Sequence, residues 1–352
     1  MPEREKFQFL PEAVIGQAGN GQEVEKVSHP ETEGIIGGAT TSVALFPDCS
    51  VDLSVDLAGV TLKNPVVVAS GTFGFGREYG QFFDLSELGG ICCKGLTLYP
   101  REGNPAPRIA ETPMGILNSV GLQNPGVDAF IRHELPFLRR YDVKVIANIS
   151  GNTPEEYGVM CEKLSEAGVD MIEVNISCPN VKAGGLAYGT RPDLAAEVTR
   201  EAKKHAAVPV MVKLSPNVTD ITEIAHAVAD AGADALSLIN TLRGMRIDVS
   251  TRRPILKMNT GGLSGPAVLP VAVRMVWEAA SAVDLPILGM GGVSKAEDAA
   301  QLMLAGASAV AVGTALFADP YTPRKVRDGL AEIAAKQGLS AVRELTGGVR
   351  PW

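Results

Sequence analysis

Eight short apolar runs, separated by segments of helical character, leave this chain few folds to choose from. The runs occupy 66–70 (VVVAS), 90–95 (GICCKG), 143–150 (VKVIANIS), 171–178 (MIEVNISC), 209–216 (PVMVKLSP), 235–241 (ALSLINT), 286–292 (PILGMGG) and 309–315 (AVAVGTA). Most are continuously apolar and end in polar residues or glycine, the mark of parallel strands buried on both faces. Between them lie amphipathic segments with helix punctuation. In 153–168 (TPEEYGVMCEKLSEAG), Thr153 is an N-cap, Pro154 takes the first helical position and Gly168 ends the helix. Segments 220–232 and 295–306 also close on glycine, and the step Ala-Gly recurs before strands at Ala167-Gly168, Ala231-Gly232 and Ala305-Gly306.

This alternation predicts an α/β fold, a (β/α)8 TIM barrel, for which roughly 250 residues is typical. The rival arrangement is a doubly wound open sheet, and the length of the alternation favours the barrel. The longest spacings between run starts follow the second run (90 to 143) and the sixth (235 to 286), so the insertions leave from the C-terminal face, where barrel chemistry occurs. Ahead of the first run, VDLSVDL and AGVTLKNP read as a short N-terminal β-hairpin. Residues 51–352 therefore form the expected barrel domain.

Residues 1–50 differ in character. They hold eight acidic and three basic residues, so −5 of the net charge of −8 resides there. They lack a sustained period and are expected to be a disordered acidic extension. The acidic balance and an aromatic content of 5% argue against a nucleic-acid binder. No apolar stretch reaches the ~18 residues of a membrane span, and the start carries no secretory apolar region. The five cysteines (Cys49, Cys92, Cys93, Cys161, Cys178) have no framework spacing and no C-x-x-C, and the four histidines no metal-ligand spacing. A reducing, cytoplasmic setting and no bound metal are expected.

Polar residues gather at the predicted strand C-termini: Ser70, Lys94, Asn148, Asn175, Cys178, Lys213, Asn240, Thr241, Gly291, Gly292, Gly313 and Thr314. In a barrel these ends face one bowl. Lys94 and Lys213 point to an anionic ligand or a reduced, negatively charged cofactor, the alternative being that each snorkels to solvent. GMGG and VGT at the ends of runs seven and eight, with Gly265 in GGLSGP (261–266), suit a phosphate site or ordinary turns; together on one face they favour a phosphorylated cofactor. Ser294 is a candidate cap for the helix that follows. Cys178, in NISCPN, is a nucleophile, a base or an inert thiol, and the glycine-rich segment after it could act as a flexible lid. Cys92, Cys93 and Cys161 read as core. Asn118, in NSVGLQNPG, serves a tight loop or a polar heterocycle.

Taken together, NISCPN (175–180), CKGLTL with Lys94, NSVGLQNPG (118–126), VKLSPN (212–217), INT (239–241), GGLSGP, GMGG and VGT resemble the dihydroorotate dehydrogenases, in the same motif order over about 51–348. The stretches GNPAPRIAETPMGILNSVGLQNPG and GMRIDVSTRRPILKMNTGGLSGPA are most similar to the two-subunit, NAD-linked type, class 1B. The resemblance implies one FMN per chain and oxidation of dihydroorotate to orotate in pyrimidine synthesis. It implies Cys178 as the base at C5, with hydride from C6 passing to flavin N5. Lys94, Asn118, Asn175, Asn180, Asn240, Thr241 and the backbone of Ser119, Val120, Gly121 and Leu122 would hold the substrate. Ser70, Lys94, Gly95, Asn148, Asn175, Lys213 and Ile239 would contact FMN, with Gly265, Gly291, Gly292, Gly313 and Thr314 around its phosphate.

The same resemblance implies a homodimer joined by a separate subunit carrying FAD and a 2Fe–2S cluster, since this chain has no cysteine cluster to hold one. The membrane-associated class, with serine as base and an apolar N-terminal helix, resembles the chain less. Four other readings stay open: the fumarate-linked class of the same enzyme, a dihydropyrimidine dehydrogenase-like flavin enzyme, a Schiff-base aldolase or other lyase with Lys213 as nucleophile, and a non-catalytic binding barrel.

Overall fold

The computed structural model describes residues 51–177 and 185–352. The expected extension at 1–50 lies outside the described residues, as do Cys178 and Asn180.

Eight parallel strands close into a barrel: β1 (Val66–Val68), β2 (Gly90–Cys92), β3 (Lys144–Ile149), β4 (Met171–Asn175), β5 (Val210–Lys213), β6 (Ala235–Leu238), β7 (Ile287–Met290) and β8 (Ala309–Val312). They follow one another in sequence order, and β8 pairs with β1 in the register Val310↔Val66 to Val312↔Val68. Closure excludes the open-sheet alternative. Every barrel-strand residue is buried apart from Lys144, at the start of β3. That two-sided burial explains why the runs carry no period-two alternation.

Around the barrel lie α1 (Pro154–Glu166), α2 (Pro192–His205), α3 (Ile221–Asp230), α4 (Leu269–Ala282), α5 (Ala296–Leu304) and α6 (Thr322–Lys336). The Thr153 side chain accepts from Glu156 N, and Asp220 accepts from Thr222 N, so α1 and α3 begin on side-chain caps. The C-caps of α1, α3 and α5 are Ala167, Ala231 and Ala305, each followed by the expected glycine. Ser294 is not the cap of α5. Lys295 holds that position, and the Asp298 carboxylate accepts from Ser294 N (3.0 Å), Ser294 Oγ (2.8 Å) and Lys295 N (3.1 Å). A carboxylate inside the first turn thus reaches back to the N–H groups at and before the cap, and the Ser294 hydroxyl donates to it instead of accepting from the helix.

Residues 178–184 of the segment read as a lid lie outside the described residues; Gly185–Thr190 is helical, and Arg191, in an extended conformation, separates it from α2. The expected hairpin is present as Val55–Leu57 against Val60–Leu62, with Leu57 and Leu62 fully buried in the main core.

Both long insertions leave from strand C-termini and meet. Ile109–Thr112 and Gly115–Asn118, from the β2–β3 insertion, join Leu242–Gly244 and Gly261–Ser264, from the β6–β7 insertion, in one four-stranded antiparallel sheet. GGLSGP, expected as a glycine turn, thus begins as a strand of this sheet and turns only at Gly265. Gly262 makes the join possible, because a Cβ there would stand 2.0 Å from Thr241 Oγ1.

Candidate active site

A cavity of about 700 Å³ lies between the barrel's C-terminal strand ends and the four-stranded sheet. That size falls within the usual range for cofactor and small-molecule sites. Its walls bring together Ser70, Lys94, Gly95, Asn148, Asn175, Lys213, Ile239, Asn240 and Thr241 from the strand ends, with Asn118, Val120, Gly121 and Leu122 from the first insertion. Gly265, Gly291, Gly292, Gly313 and Thr314 close another part of the same wall. Ser119 stands behind it. Its N–H donates to Arg108 O (2.8 Å) and its carbonyl accepts from Asn104 Nδ2 (3.0 Å), so its backbone is already engaged. Its hydroxyl is buried without a partner.

Glu173 was not among the sequence candidates. It sits two residues before the end of β4, fully buried at the barrel floor. Its carboxylate accepts from Cys92 Sγ (3.0 Å), Ser237 Oγ (2.7 Å) and Asn148 Nδ2, and Lys213 Nζ lies 3.7 Å away. Burial alone would raise the Glu173 pKa, but the Lys213 ammonium and the three hydrogen bonds hold it below the ordinary carboxylate value. Lys213 therefore has an anionic partner within the chain. The signal in the sequence was an acid inside an otherwise apolar barrel run, where an unpaired carboxylate cannot sit.

Two further asparagines escaped notice because they read as loop residues. Asn124 Oδ1 accepts from Thr97 N (3.1 Å) and Gly126 N (2.8 Å), while its Nδ2 donates to Leu122 O (2.7 Å) and Thr97 Oγ1 (2.8 Å). One buried side chain thus fixes the loop that carries Val120–Leu122. Asn217 Nδ2 donates to Thr241 O (3.0 Å), and its Oδ1 accepts from Arg243 N (2.9 Å), which ties the end of β6 to the covering sheet.

Asn175, Ser177 and Asn240 form a connected group at the end of β4. Asn175 Oδ1 accepts from Ser177 N (3.1 Å) and Ser177 Oγ (3.0 Å), and Asn240 Nδ2 donates to Ser177 Oγ (2.6 Å). The residue before Cys178 is therefore buried and held. At the glycine-rich wall, Thr314 Oγ1 donates to Ser264 Oγ (2.8 Å). Gly292 adopts φ +83°, and a Cβ there would stand 2.7 Å from Leu269 Cβ at the start of α4.

Cys92, Cys93 and Cys161 are buried, as expected. Among the described residues no cluster of His, Cys, Asp and Glu is placed to hold a metal, and no helix is long and apolar enough to cross a membrane.

The geometry can be set beside known proteins. The family model described as dihydroorotate dehydrogenase matches residues 52–334. The chain is 55% identical over 300 residues to a protein of Geotalea daltonii named dihydroorotate dehydrogenase B (NAD(+)), catalytic subunit, which covers 85% of this chain and 98% of that protein. Proteins of the same name from Geobacillus kaustophilus and Thermoanaerobacter pseudethanolicus are 56% identical over 301 residues and 54% over 300, covering 85% of this chain and 96% and 99% of theirs.

Proposed function

The chain belongs to the dihydroorotate dehydrogenase family, and we propose that it is the catalytic subunit of an NAD-linked enzyme oxidising (S)-dihydroorotate to orotate in pyrimidine synthesis. The observation that carries this reading is the meeting of Lys94, Asn118, Asn175 and Asn240 in one cavity. A cation and three amides suit a planar ring that bears a carboxylate and alternating carbonyl and N–H groups.

The residues present fit FMN. Asn148 Oδ1 is a buried acceptor without a partner on the cavity wall, and Gly291, Gly292 and Gly313 expose backbone to the same space. Ser70, Lys94, Gly95, Asn148, Asn175, Lys213 and Ile239 would contact the ring and ribityl chain; Gly265, Gly291, Gly292, Gly313 and Thr314 would surround the phosphate. FMN, when bound, supplies at its N5 the acceptor for hydride from C6 of the substrate.

The chain's own residues do the rest. Cys178 takes the proton from C5, a step open to a positioned thiolate. The Asn175–Ser177–Asn240 group, in which Asn175 and Ser177 are buried, holds the backbone leading into it, and Asn180 contacts the substrate beside it. Lys94, Asn118, Asn240 and Thr241 orient the substrate. Lys213 places a cation on the cavity wall, where it would favour negative charge on a bound ring. The roof from the two insertions excludes water. A separate subunit holding FAD and a 2Fe–2S cluster would take up the electrons, in an assembly built on a homodimer.

The test compares substrates and acceptors. The flavin-loaded chain should turn over dihydroorotate far faster than dihydrouracil, and reduce NAD only when the electron-transfer subunit is added. Comparable turnover of the two substrates would move the assignment to dihydropyrimidines. Direct reoxidation by fumarate would move it to the other soluble class.

A further inference from the structure

We propose that Glu173 is a positioning residue that decides which end of the Asn148 amide faces the cavity, making Asn148 an acceptor for a ring N–H of the cofactor. The inference rests on the flavin reading above. Glu173 and Asn148 are register partners on neighbouring strands. An ionised carboxylate only accepts hydrogen bonds, so Asn148 must direct its Nδ2 toward it. The amide's other end is thereby committed. Asn148 Oδ1 is left buried and without a partner on the wall of the cavity.

Leaving a buried acceptor unpaired is unfavourable, and the loss is recovered when a ligand brings a donor to it. The approach to this oxygen is kept open by a glycine: a Cβ on Gly95 would stand 2.8 Å from Asn148 Oδ1. An oxidised flavin ring offers a single N–H flanked by two carbonyls. An amide turned the other way would set its own N–H against that donor. Glu173 also offsets the charge of Lys213, 3.7 Å away, so one carboxylate sets both the polarity and the charge balance on this side of the cavity.

Glu173→Gln keeps the shape but offers an N–H, which lets Asn148 turn its oxygen inward. We expect the FMN dissociation constant, read from the fluorescence of released flavin, to rise on the order of ten- to a hundredfold. The flavin midpoint potential should become more positive, because the Lys213 charge is no longer offset. Combining Glu173→Gln with Asn148→Asp restores an acceptor facing the cavity and a charge beside Lys213. It should return FMN affinity to within about threefold of wild type.

Wild-type affinity and potential in Glu173→Gln would overturn the proposal, as would a double variant that binds no tighter than the single one. If Glu173→Gln yields no folded protein, the double variant decides alone: folded and flavin-bound supports the proposal, folded and flavin-free overturns it. A wild-type chain that binds no FMN would instead sink the flavin reading itself.

Discussion

Lys213 Nζ lies 3.7 Å from Glu173 Oε2 at the cavity floor, with the two side chains 6% and 0% exposed. A pair so far from water is costly to break, because the remaining charge has no solvent to turn to. Lys213→Met should destabilise the flavin-free chain by about 3–5 kcal/mol in urea unfolding. A loss below about 1 kcal/mol would show that the hydrogen bonds from Cys92, Ser237 and Asn148 hold the carboxylate without the cation.

The roof should be sensitive to a single methyl group. A Cβ on Gly262 would meet Thr241 Oγ1 at 2.0 Å and Thr241 Cβ at 2.6 Å. Gly262→Ala should cost about 1–3 kcal/mol and displace the Thr241–Asn118 side of the cavity. Steady-state kinetics should then show a raised KM for dihydroorotate with flavin content little changed. An unaltered KM would mean that the covering sheet does not set the substrate side.

Three thiols should be silent in the native protein. Burial pushes Cys92 well above an ordinary thiol, with the Glu173 charge adding to it; burial likewise raises Cys93, and lifts Cys161 to about 12. Alkylation at neutral pH followed by peptide mass mapping should leave all three unmodified, and all three should react once the chain is unfolded. Rapid native labelling of Cys92 would contradict the closed barrel floor.

The acid limb of stability has a defined sign. Hydrogen bonds from Arg343 and Ser54 hold the Asp52 carboxyl near 2, against 3.8 in the absence of partners. Its folded-state value is the lower, so its contribution is complete above 3.8 and is lost as the pH falls through about 2. Glu173 is shifted in the same direction. Thermal melts should therefore fall across that window, and Asp52→Asn should flatten the fall. Both partners are exposed, so the effect should be small and should shrink in salt.

Much of the fold was legible because a strand buried on both faces writes itself as an unbroken apolar run. All eight barrel strands lie within the runs read from the sequence, from Val66–Val68 to Ala309–Val312. The two insertions could be placed on the correct face from spacing alone. Their pairing was not legible: Gly262 opposite Asn118 is a contact between segments far apart in sequence, and it made a strand of what read as a glycine turn. Ser294 misled for a local reason: the cap falls one residue later, at Lys295, and the Ser294 hydroxyl donates to Asp298 instead of accepting from the first turn. Glu173 was missed because strand ends drew the attention, while its partners Cys92, Asn148, Lys213 and Ser237 come from four other strands.

The central claim, that this chain binds FMN and oxidises dihydroorotate with Cys178 as base, is tested most directly by anaerobic visible spectroscopy of the purified chain and its Cys178→Ala variant. Both should show a bound flavin. Wild type should bleach on adding dihydroorotate, and the variant should bleach on the order of a hundred- to ten-thousandfold more slowly, the usual contribution of a positioned base. A flavin that dihydroorotate leaves coloured in wild type, or an alanine variant reduced at the wild-type rate, would contradict the account.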